Sequence, residues 1–404
     1  MIVTYVTYAL LIALIIWGIK FPGFGNKFNE DFLDRNSTKA VSGLAAILVI
    51  FHHLSQEAAF QDVTKELFFF NDLGYLICTV FFFFSAYGLT VSANNNPNYI
   101  KTFSKRFITI LVPFYVLNII YGIYGLINGM PVIRVVLGIL GLVNINSNGW
   151  FPFTLLLLYL VFYLCNKTIK NRKIHLIIYF VLPFVLGALF SVNGHFAWWA
   201  DSSKGWWLTK GFYDKPWWMQ EQVLWFSGEW WVNSSIGFFV GALFGTYKEK
   251  LFAFFKKGYW IKLIVLCVLF GFTYKWFVGI RDKYNCWTEY WINDPGILNK
   301  LITVTANQIV SLVFIFAFIV LLMKFRSENP VTRFMGKISF ETYLIGKIVL
   351  EVFRPIILNK YGPIIKSPYN YNLGIYVVCV VSISILLGFL INKLDGIIIK
   401  KLTK

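Results

Sequence analysis

Residues 39–53 read KAVSGLAAILVIFHH, an uncharged run that follows Lys39 and ends in the adjacent pair His52 and His53. At about 1.5 Å per residue, a helix through this run would extend about 21 Å from Lys39 to His53. The run therefore predicts a membrane-spanning helix with two imidazoles near one end. Ionisable side chains inside a membrane are commonly functional, although a histidine can also serve only as a hydrogen-bonding partner of a neighbouring helix.

The composition excludes an ordinary soluble protein. The 404 residues are 58% hydrophobic and 14% charged, whereas soluble domains average about 45–50% apolar and about 25% charged residues. The bilayer must therefore be the solvent for most of the chain. The first apolar run, Ile2–Ile19, lacks a basic leading region and a small-residue cleavage site, so we expect a retained helix rather than a cleaved signal.

The net charge of +18 would suggest nucleic-acid binding in a soluble chain. Here the Lys and Arg residues cluster in short loops between apolar runs, which is the pattern that orients membrane proteins. We therefore expect no nucleic-acid partner. The five cysteines are isolated and form no CxxC motif, so the sequence predicts neither a disulfide framework nor a metal site.

Eleven apolar runs approach the length of about 20 residues that crosses a bilayer. They are Ile2–Ile19, Ala40–Leu54, Leu73–Ser92, Phe107–Ile127, Trp150–Asn166, Ile174–Val192, Val232–Tyr247, Ile261–Ile280, Thr303–Met323, Ile338–Ile357 and Leu373–Ile391. A further run, Val132–Val143, would be only about 18 Å long as a helix. Basic loops follow every second span only if this run does not cross, so we interpret it as re-entrant or interfacial.

The predicted fold is all-α: a polytopic integral membrane helical bundle of about eleven transmembrane helices plus a short re-entrant segment. The positions of the basic loops predict a multi-pass protein of the cell membrane with its N-terminus outside and its C-terminus in the cytoplasm. We divide the chain into an extra N-terminal helix and cytoplasmic loop (1–36), a main membrane domain (37–392) and a basic cytoplasmic tail (393–404).

The predicted external connection at residues 193–231 contains nine of the fifteen tryptophans. Tryptophan is enriched at membrane interfaces, so this connection could be an ordinary aromatic belt. Flat aromatic faces beside carboxylates could equally form a platform for sugar rings. Both interpretations stay open for Trp217, Trp218, Glu229 and Trp230.

A basic cluster containing Lys105 and Arg106 precedes the fourth span. Cationic side chains at a helix start can bind an anionic phosphate. The same cluster could instead act only as a positive anchor on the cytoplasmic side.

Six segments, taken in order, carry a resemblance to a known family. They are residues 42–53 with His53 at the end, 80–87 (VFFFFSAY), 105–109 (KRFIT) with Pro113, Trp150-Phe151 followed by Tyr159, Phe238–Tyr247, and 336–344 (GKISFETYL). In this order they resemble the type 3 family of integral-membrane acyltransferases, the OafA-like O-acyltransferases. Ser42 occupies the family's basic position, with Lys39 one turn earlier, and Thr109 replaces a second arginine.

The resemblance implies an enzyme that moves an acyl group, commonly acetyl, from cytoplasmic acyl-CoA (acetyl-CoA) to a hydroxyl of an extracytoplasmic glycan or polysaccharide. It implies His53 as general base or transient acyl carrier and His52 as its support. The donor would be bound by Arg106, Lys105 and Lys39. The acceptor would be bound by Trp150, Trp217, Trp218, Glu229 and Trp230. The alternative hypothesis is a transporter or flippase for a lipid-linked or polymeric glycan.

Overall fold

The computed structural model describes residues 2–60, 67–142, 144–192, 232–284, 297–357 and 371–403. Within these ranges the chain forms twelve α-helices and one pair of two-residue strands. The helices are α1 (Ile2–Ile16), α2 (Arg35–Phe60), α3 (Gly74–Asn95), α4 (Ser104–Ile127), α5 (Val132–Ile139), α6 (Trp150–Thr168), α7 (Arg172–Val192), α8 (Ile236–Lys256), α9 (Tyr259–Tyr284), α10 (Ile297–Leu322), α11 (Pro330–Ile357) and α12 (Tyr371–Leu402). The strands are β1 (Ile19–Lys20) and β2 (Arg326–Ser327), which pair antiparallel.

Eight helical segments in the described part of the chain are long and apolar enough to cross a membrane. They are Arg35–Ala58, Gly74–Asn95, Tyr99–Ile127, Trp150–Thr168, Arg172–Leu189, Tyr259–Tyr284, Ile297–Leu322 and Asn372–Leu402. The all-α membrane class is therefore confirmed, but the count of eleven spans is not. The other three predicted spans correspond to α1, α8 and α11. The first of these has only 15 residues, and the other two carry several charged side chains.

The short run at residues 132–143 contains α5, a helix of eight residues that is about 12 Å long. The buried Asn118 of α4 donates a hydrogen bond of 3.0 Å from its amide to the Gly138 carbonyl oxygen. Gly141, just beyond the helix, has a φ of +74° that favours glycine. The segment is thus a short helix held against α4.

The helices fall into two compact units, residues 1–77 with 319–404 and residues 78–318. In the first unit, α11 packs along α2 and α12. The contact with α2 is very close at Gly43 and Gly336. A Cβ atom on Gly43 would overlap the Thr332 carbonyl oxygen, and one on Gly336 would overlap the Lys39 carbonyl oxygen. Small residues of this kind allow two helix backbones to approach within a membrane.

The contact between α11 and α12 contains polar side chains. The Asn392 amide donates to the Lys337 carbonyl oxygen at 3.1 Å and to Glu341 Oε1 at 2.9 Å. Near the other end of the contact, the Tyr376 hydroxyl donates to the Leu350 carbonyl oxygen at 3.1 Å. These bonds link the two helices at both ends of their shared face.

The segment between α1 and α2 is attached to the segment between α10 and α11. Lys324 is fully buried, and its ammonium group donates to the carbonyl oxygens of Gly23 (2.8 Å), Gly25 (2.5 Å) and Lys27 (2.6 Å). A nearby ion pair joins Arg326 to Asp31. Burial acts to raise the pKa of Asp31, but the hydrogen bond and charge of Arg326 outweigh burial and hold it below its ordinary value.

The helix α1 is also attached to this region. The Asn329 amide donates to the carbonyl oxygens of Leu14 and Trp17, both at 2.9 Å. The Ser327 hydroxyl donates to the Ile15 carbonyl oxygen at 2.7 Å. The N-terminal helix is therefore an integrated part of the first unit.

Replacement of Gly336 by alanine is expected to destabilise the protein by about 1–3 kcal/mol, because the added methyl group must separate α2 from α11. Gly346 is a matched control on the same helix, since a Cβ atom there meets nothing within 4 Å. Gly346→Ala should leave stability unchanged or raise it by up to about 1 kcal/mol. Thermal unfolding of the detergent-solubilised variants measures both effects. Equal stabilities for the two variants would contradict the close helix contact.

Candidate functional site

The histidine pair lies on α2 in the first unit, and His52 is held at two edges of its ring. Its Nδ1 atom is 3.0 Å from the Phe70 carbonyl oxygen. A carbonyl oxygen only accepts, so Nδ1 carries the proton and Nε2 bears the lone pair of the neutral ring. The edge of the ring that carries Nε2 packs against Gly74. The two are so close that a Cβ atom at position 74 would overlap Nε2. The orientation of the His52 imidazole is therefore restricted.

His53 faces both its neighbour and α11. The centroids of the two imidazole rings are 4.9 Å apart, and the His53 centroid is 6.3 Å from that of the Tyr343 ring. Both histidines are half-buried. The pair thus combines one ring fixed by a backbone carbonyl with a second ring placed beside a tyrosine of another helix.

A network of charged side chains follows one helical turn beyond these rings. Glu57, one turn after His53 on α2, has a side chain that is only 4% exposed. Its Oε1 is 2.5 Å from Arg354 Nε, and its Oε2 is 3.3 Å from Lys347 Nζ. Lys347 itself lies one turn after Tyr343 on α11. Where the faces of α2 and α11 meet, the His53 and Tyr343 rings are therefore followed, toward the C-terminal ends of both helices, by the ion network around Glu57.

The sequence interpretation missed Glu57, Lys347 and Arg354. A signal for Glu57 and Lys347 was present, because positions four apart on a helix share one face. His53 and Glu57 have this spacing on α2, and Tyr343 and Lys347 have it on α11. Applied to both spans, the rule selects these residues but does not show that the two faces meet.

Lys39 lies at the opposite end of α2 and lines a cavity of about 390 Å³. The lining residues are Asn36, Lys39, Pro330, Arg333, Phe334 and Lys337. Along the helix, His53 is fourteen positions further, a distance of about 21 Å. The candidate donor-binding residue Lys39 and the candidate base are thus separated by about four helical turns of α2.

In the second unit, segments that were distant in the sequence meet around the buried Phe103 ring. The Ser85 hydroxyl lies 3.3 Å from the Tyr159 hydroxyl. The Phe103 centroid is 6.0 Å from that of Tyr159 and 5.8 Å from that of Tyr99. Arg106 places its guanidinium carbon 5.4 Å from the centroid of the Tyr99 ring. The structure therefore brings the basic helix start together with the Ser85 and Tyr159 segments.

The other candidate residues have different surroundings. Lys105 is exposed beside Arg106 in the first turn of α4. Trp150 begins α6 and packs partly buried against a hydrophobic cluster that contains Phe114 and Phe153. Trp217, Trp218, Glu229 and Trp230 lie outside the described residues.

A comparison with known families accounts for the motifs along the chain. The family model described as an acyltransferase domain, of acyltransferase type 3, matches residues 40–393. The chain belongs to the type 3 acyltransferase family. The match contains the histidine pair, the basic start of α4 and all of α11, and it confirms the resemblance inferred from the order of segments. No curated protein and no solved structure matches the chain.

Membership in the type 3 acyltransferase family establishes the class of reaction. The protein is an acyltransferase that moves groups other than aminoacyl groups. Together with the apolar helices, the family also indicates a multi-pass membrane protein. The matched range begins one residue after Lys39. Of the residues that line the cavity at this end of α2, Asn36 and Lys39 therefore precede the matched range, and the other four lie within it.

Proposed function

We propose that this acyltransferase moves an acyl group, in the simplest case acetyl, from acyl-CoA in the cytoplasm to a hydroxyl of a glycan or polysaccharide outside. The observation that carries the proposal is the His53 ring. It is half-buried beside His52 and Tyr343, and it lies fourteen positions along α2 from Lys39 of the basic cavity. An imidazole in this position could serve a reaction whose two substrates arrive from opposite sides.

As a general base, neutral His53 would accept the proton of the acceptor hydroxyl while its oxygen attacks the thioester carbonyl. The carbon–sulfur bond then breaks, and the imidazolium returns the proton to the departing thiolate. The products are an ester and the free thiol of coenzyme A. As a transient carrier, a ring nitrogen of neutral His53 would instead attack the thioester carbonyl, the carbon–sulfur bond would break, and coenzyme A would leave as the thiol with the proton of the ring. The acceptor hydroxyl would then attack the acyl-imidazole, form the ester and return its proton to the imidazole.

Donor binding would use cations, since coenzyme A carries several phosphate charges. Charge-assisted hydrogen bonds from Lys39, Lys105 and Arg106 could hold these phosphates. The positive-inside pattern supports a cytoplasmic position for the basic ends of these helices, with the N-terminus outside and the C-terminus inside. Acyl-CoA, the lipid bilayer and the acceptor glycan would be the partners of the protein, and we propose no nucleic-acid partner and no metal.

Acceptor binding would use aromatic faces, on which the C–H faces of sugar rings stack. The candidates remain Trp150, Trp217, Trp218, Trp230 and the carboxylate of Glu229. Because the Trp150 ring already packs in a hydrophobic cluster, we expect it to contribute less to acceptor binding than the tryptophans of the 193–231 connection.

The experiment compares the glycans of the cell envelope in cells that carry or lack the gene. We expect loss of the gene to remove alkali-labile acyl groups from the exported glycan, while the amount of glycan exported stays the same. A transporter or flippase predicts the opposite result, reduced export with unchanged acyl content per sugar. That result would overturn the proposed function.

A further inference from the structure

Lys347 of α11 is placed beside the histidine pair by contacts of its neighbours and of its own side chain. It lies one turn after Tyr343, whose ring centroid is 6.3 Å from that of His53. Its ammonium nitrogen is 3.3 Å from Oε2 of Glu57, which lies one turn after His53 on α2. The positive charge of Lys347 is close enough to act on the His53 ring. The ammonium group therefore lies where α2 and α11 meet, next to the candidate base.

The ammonium group of Lys347 has hydrogen-bonding capacity that the protein does not use. A lysine carries three N–H donors, and within the described residues this one donates a single hydrogen bond, to Glu57. The Lys347 side chain is also more accessible than the buried Glu57 carboxylate that holds it. One N–H donor thus fixes the direction of the ammonium group, and two are available to a molecule that enters beside His53.

Arg354 accounts for most of the charge of the Glu57 carboxylate. Its Nε atom is 2.5 Å from Oε1 of Glu57, a shorter contact than that of Lys347. A second carboxylate, Glu351, also acts on the Arg354 guanidinium. Arg354 lies seven positions after Lys347, about 10 Å further along α11. The guanidinium is therefore engaged by carboxylates away from the histidines, and Lys347 is the cation of this network that faces His53.

Acyl transfer from a thioester creates a negative charge for which such a donor is suited. When a nucleophile adds to the carbonyl carbon, the electron pair of the carbon–oxygen double bond moves onto the oxygen. The pair returns when the carbon–sulfur bond breaks and the thiolate leaves. The oxygen becomes negative whether His53 acts as general base or as transient carrier. N–H donors that are already fixed in place stabilise this charge without having to reorganise.

We propose that Lys347 is a further catalytic residue, whose ammonium group donates a hydrogen bond to the thioester carbonyl oxygen as that oxygen becomes negative. The assignment rests on the proposed function, in which the reacting carbonyl is brought to His53. Lys347 keeps its proton throughout, so the proton of the acceptor hydroxyl still passes through His53. Glu57 then acts as a positioning residue, because its carboxylate holds the ammonium group in place.

Steady-state kinetics of Lys347→Met test this role. Methionine keeps the length of the side chain but has neither charge nor N–H donors, and Glu57 remains paired with Arg354. We expect kcat for transfer of a labelled acyl group to envelope glycan to fall by about 10²–10³-fold, the loss typical of one oxyanion donor. The KM values for donor and acceptor should stay nearly unchanged, because the hydrogen bond strengthens only in the transition state.

Two further variants separate catalysis from folding and from a general effect of charge. Lys347→Arg keeps the positive charge and N–H donors, and it should recover about tenfold or more of the kcat lost in Lys347→Met. Lys283→Met removes an exposed cation of α9 that stacks on Tyr284 in the second unit, and it should leave kcat and KM unchanged. Thermal unfolding in detergent establishes that each variant is folded.

Three results would overturn the role of Lys347. One is an unchanged kcat in folded Lys347→Met. Another is a raised KM for the acceptor with kcat unchanged, which would assign the ammonium group to acceptor binding. The third is an equal kcat in the methionine and arginine variants, which would show that the positive charge has no part in the reaction.

Hydroxylamine, used as a small acceptor, distinguishes failure of this role from failure of the proposed function. It attacks the thioester carbonyl without any glycan and yields an acyl hydroxamate and free coenzyme A. If the wild type forms hydroxamate, Lys347→Met loses this activity and no glycan is acylated, the role of Lys347 stands and the proposed function falls. If glycan acylation is normal in Lys347→Met, the proposed function stands and the role of Lys347 falls.

Discussion

His53→Gln is expected to reduce acyl transfer by about 10²–10⁴-fold, the contribution typical of a general acid or base. Glutamine keeps a polar side chain of similar reach but cannot accept and return a proton near neutral pH. It also cannot carry an acyl group as an imidazole nitrogen can. Transfer of labelled acyl groups to envelope glycan, normalised to the amount of protein in the membrane, measures the effect.

His175→Gln is the matched control for this variant. His175 is buried on α7, and its Nε2 lies 2.9 Å from the Ile169 carbonyl oxygen, so a hydrogen bond within the second unit accounts for it. We expect this variant to keep its activity. His52→Gln should have an intermediate effect, because His52 is expected to support its neighbour. Full activity in His53→Gln would remove the proposed base, and a larger loss in His52→Gln would transfer that role to His52.

Glu57→Ala is expected to destabilise the protein by about 3 kcal/mol, the lower limit for the removal of one partner from a buried ion pair. The Glu57 side chain is 4% exposed, and those of Lys347 and Arg354 are 27% and 21% exposed. Without the carboxylate, two cations would face each other in a mostly buried place. Thermal or denaturant unfolding in detergent measures the loss.

Two comparisons separate the ion network from a general effect of removing a carboxylate. Glu249 is an exposed carboxylate near the end of α8, and its replacement by alanine should change stability by less than about 0.5 kcal/mol. Arg354→Met combined with Glu57→Ala should cost less than the sum of the two single changes, because each partner is harmful mainly when left alone. Additive losses, or a Glu57→Ala protein as stable as the wild type, would contradict the network.

The Glu57 variant also bears on function. Lys347 lies near both the Glu57 carboxylate and the His53 ring, so loss of the carboxylate would leave an unbalanced cation near the histidine pair. We expect Glu57→Gln, which keeps the shape of the side chain, to lower the rate of acyl transfer by less than His53→Gln does.

The helical membrane class, the family and the candidate histidines followed from features that are local in the chain. An apolar run enters the bilayer because of its own residues, so Ala40–Leu54 was recognisable without its partners, and α2 contains it. The order of short segments identified the family for the same reason. Each segment lies within one helix, so it can be recognised without knowing which helices are in contact. The count of eleven spans did not follow in the same way, because α1 has only 15 residues and α8 and α11 carry several charged side chains.

The arrangement around the histidines depended on contacts between residues nearly 300 positions apart. Glu57 with Arg354, and Lys39 with Lys337, meet only because α11 lies against α2 at Gly43 and Gly336. Hydrophobic periodicity indicates which face of a helix is buried, but not which other helix covers that face or which residues of the two helices are level with each other. Both depend on close packing between the helix backbones. This packing places the basic cavity at Lys39, the His53 ring and the Glu57 ion network in succession along α2.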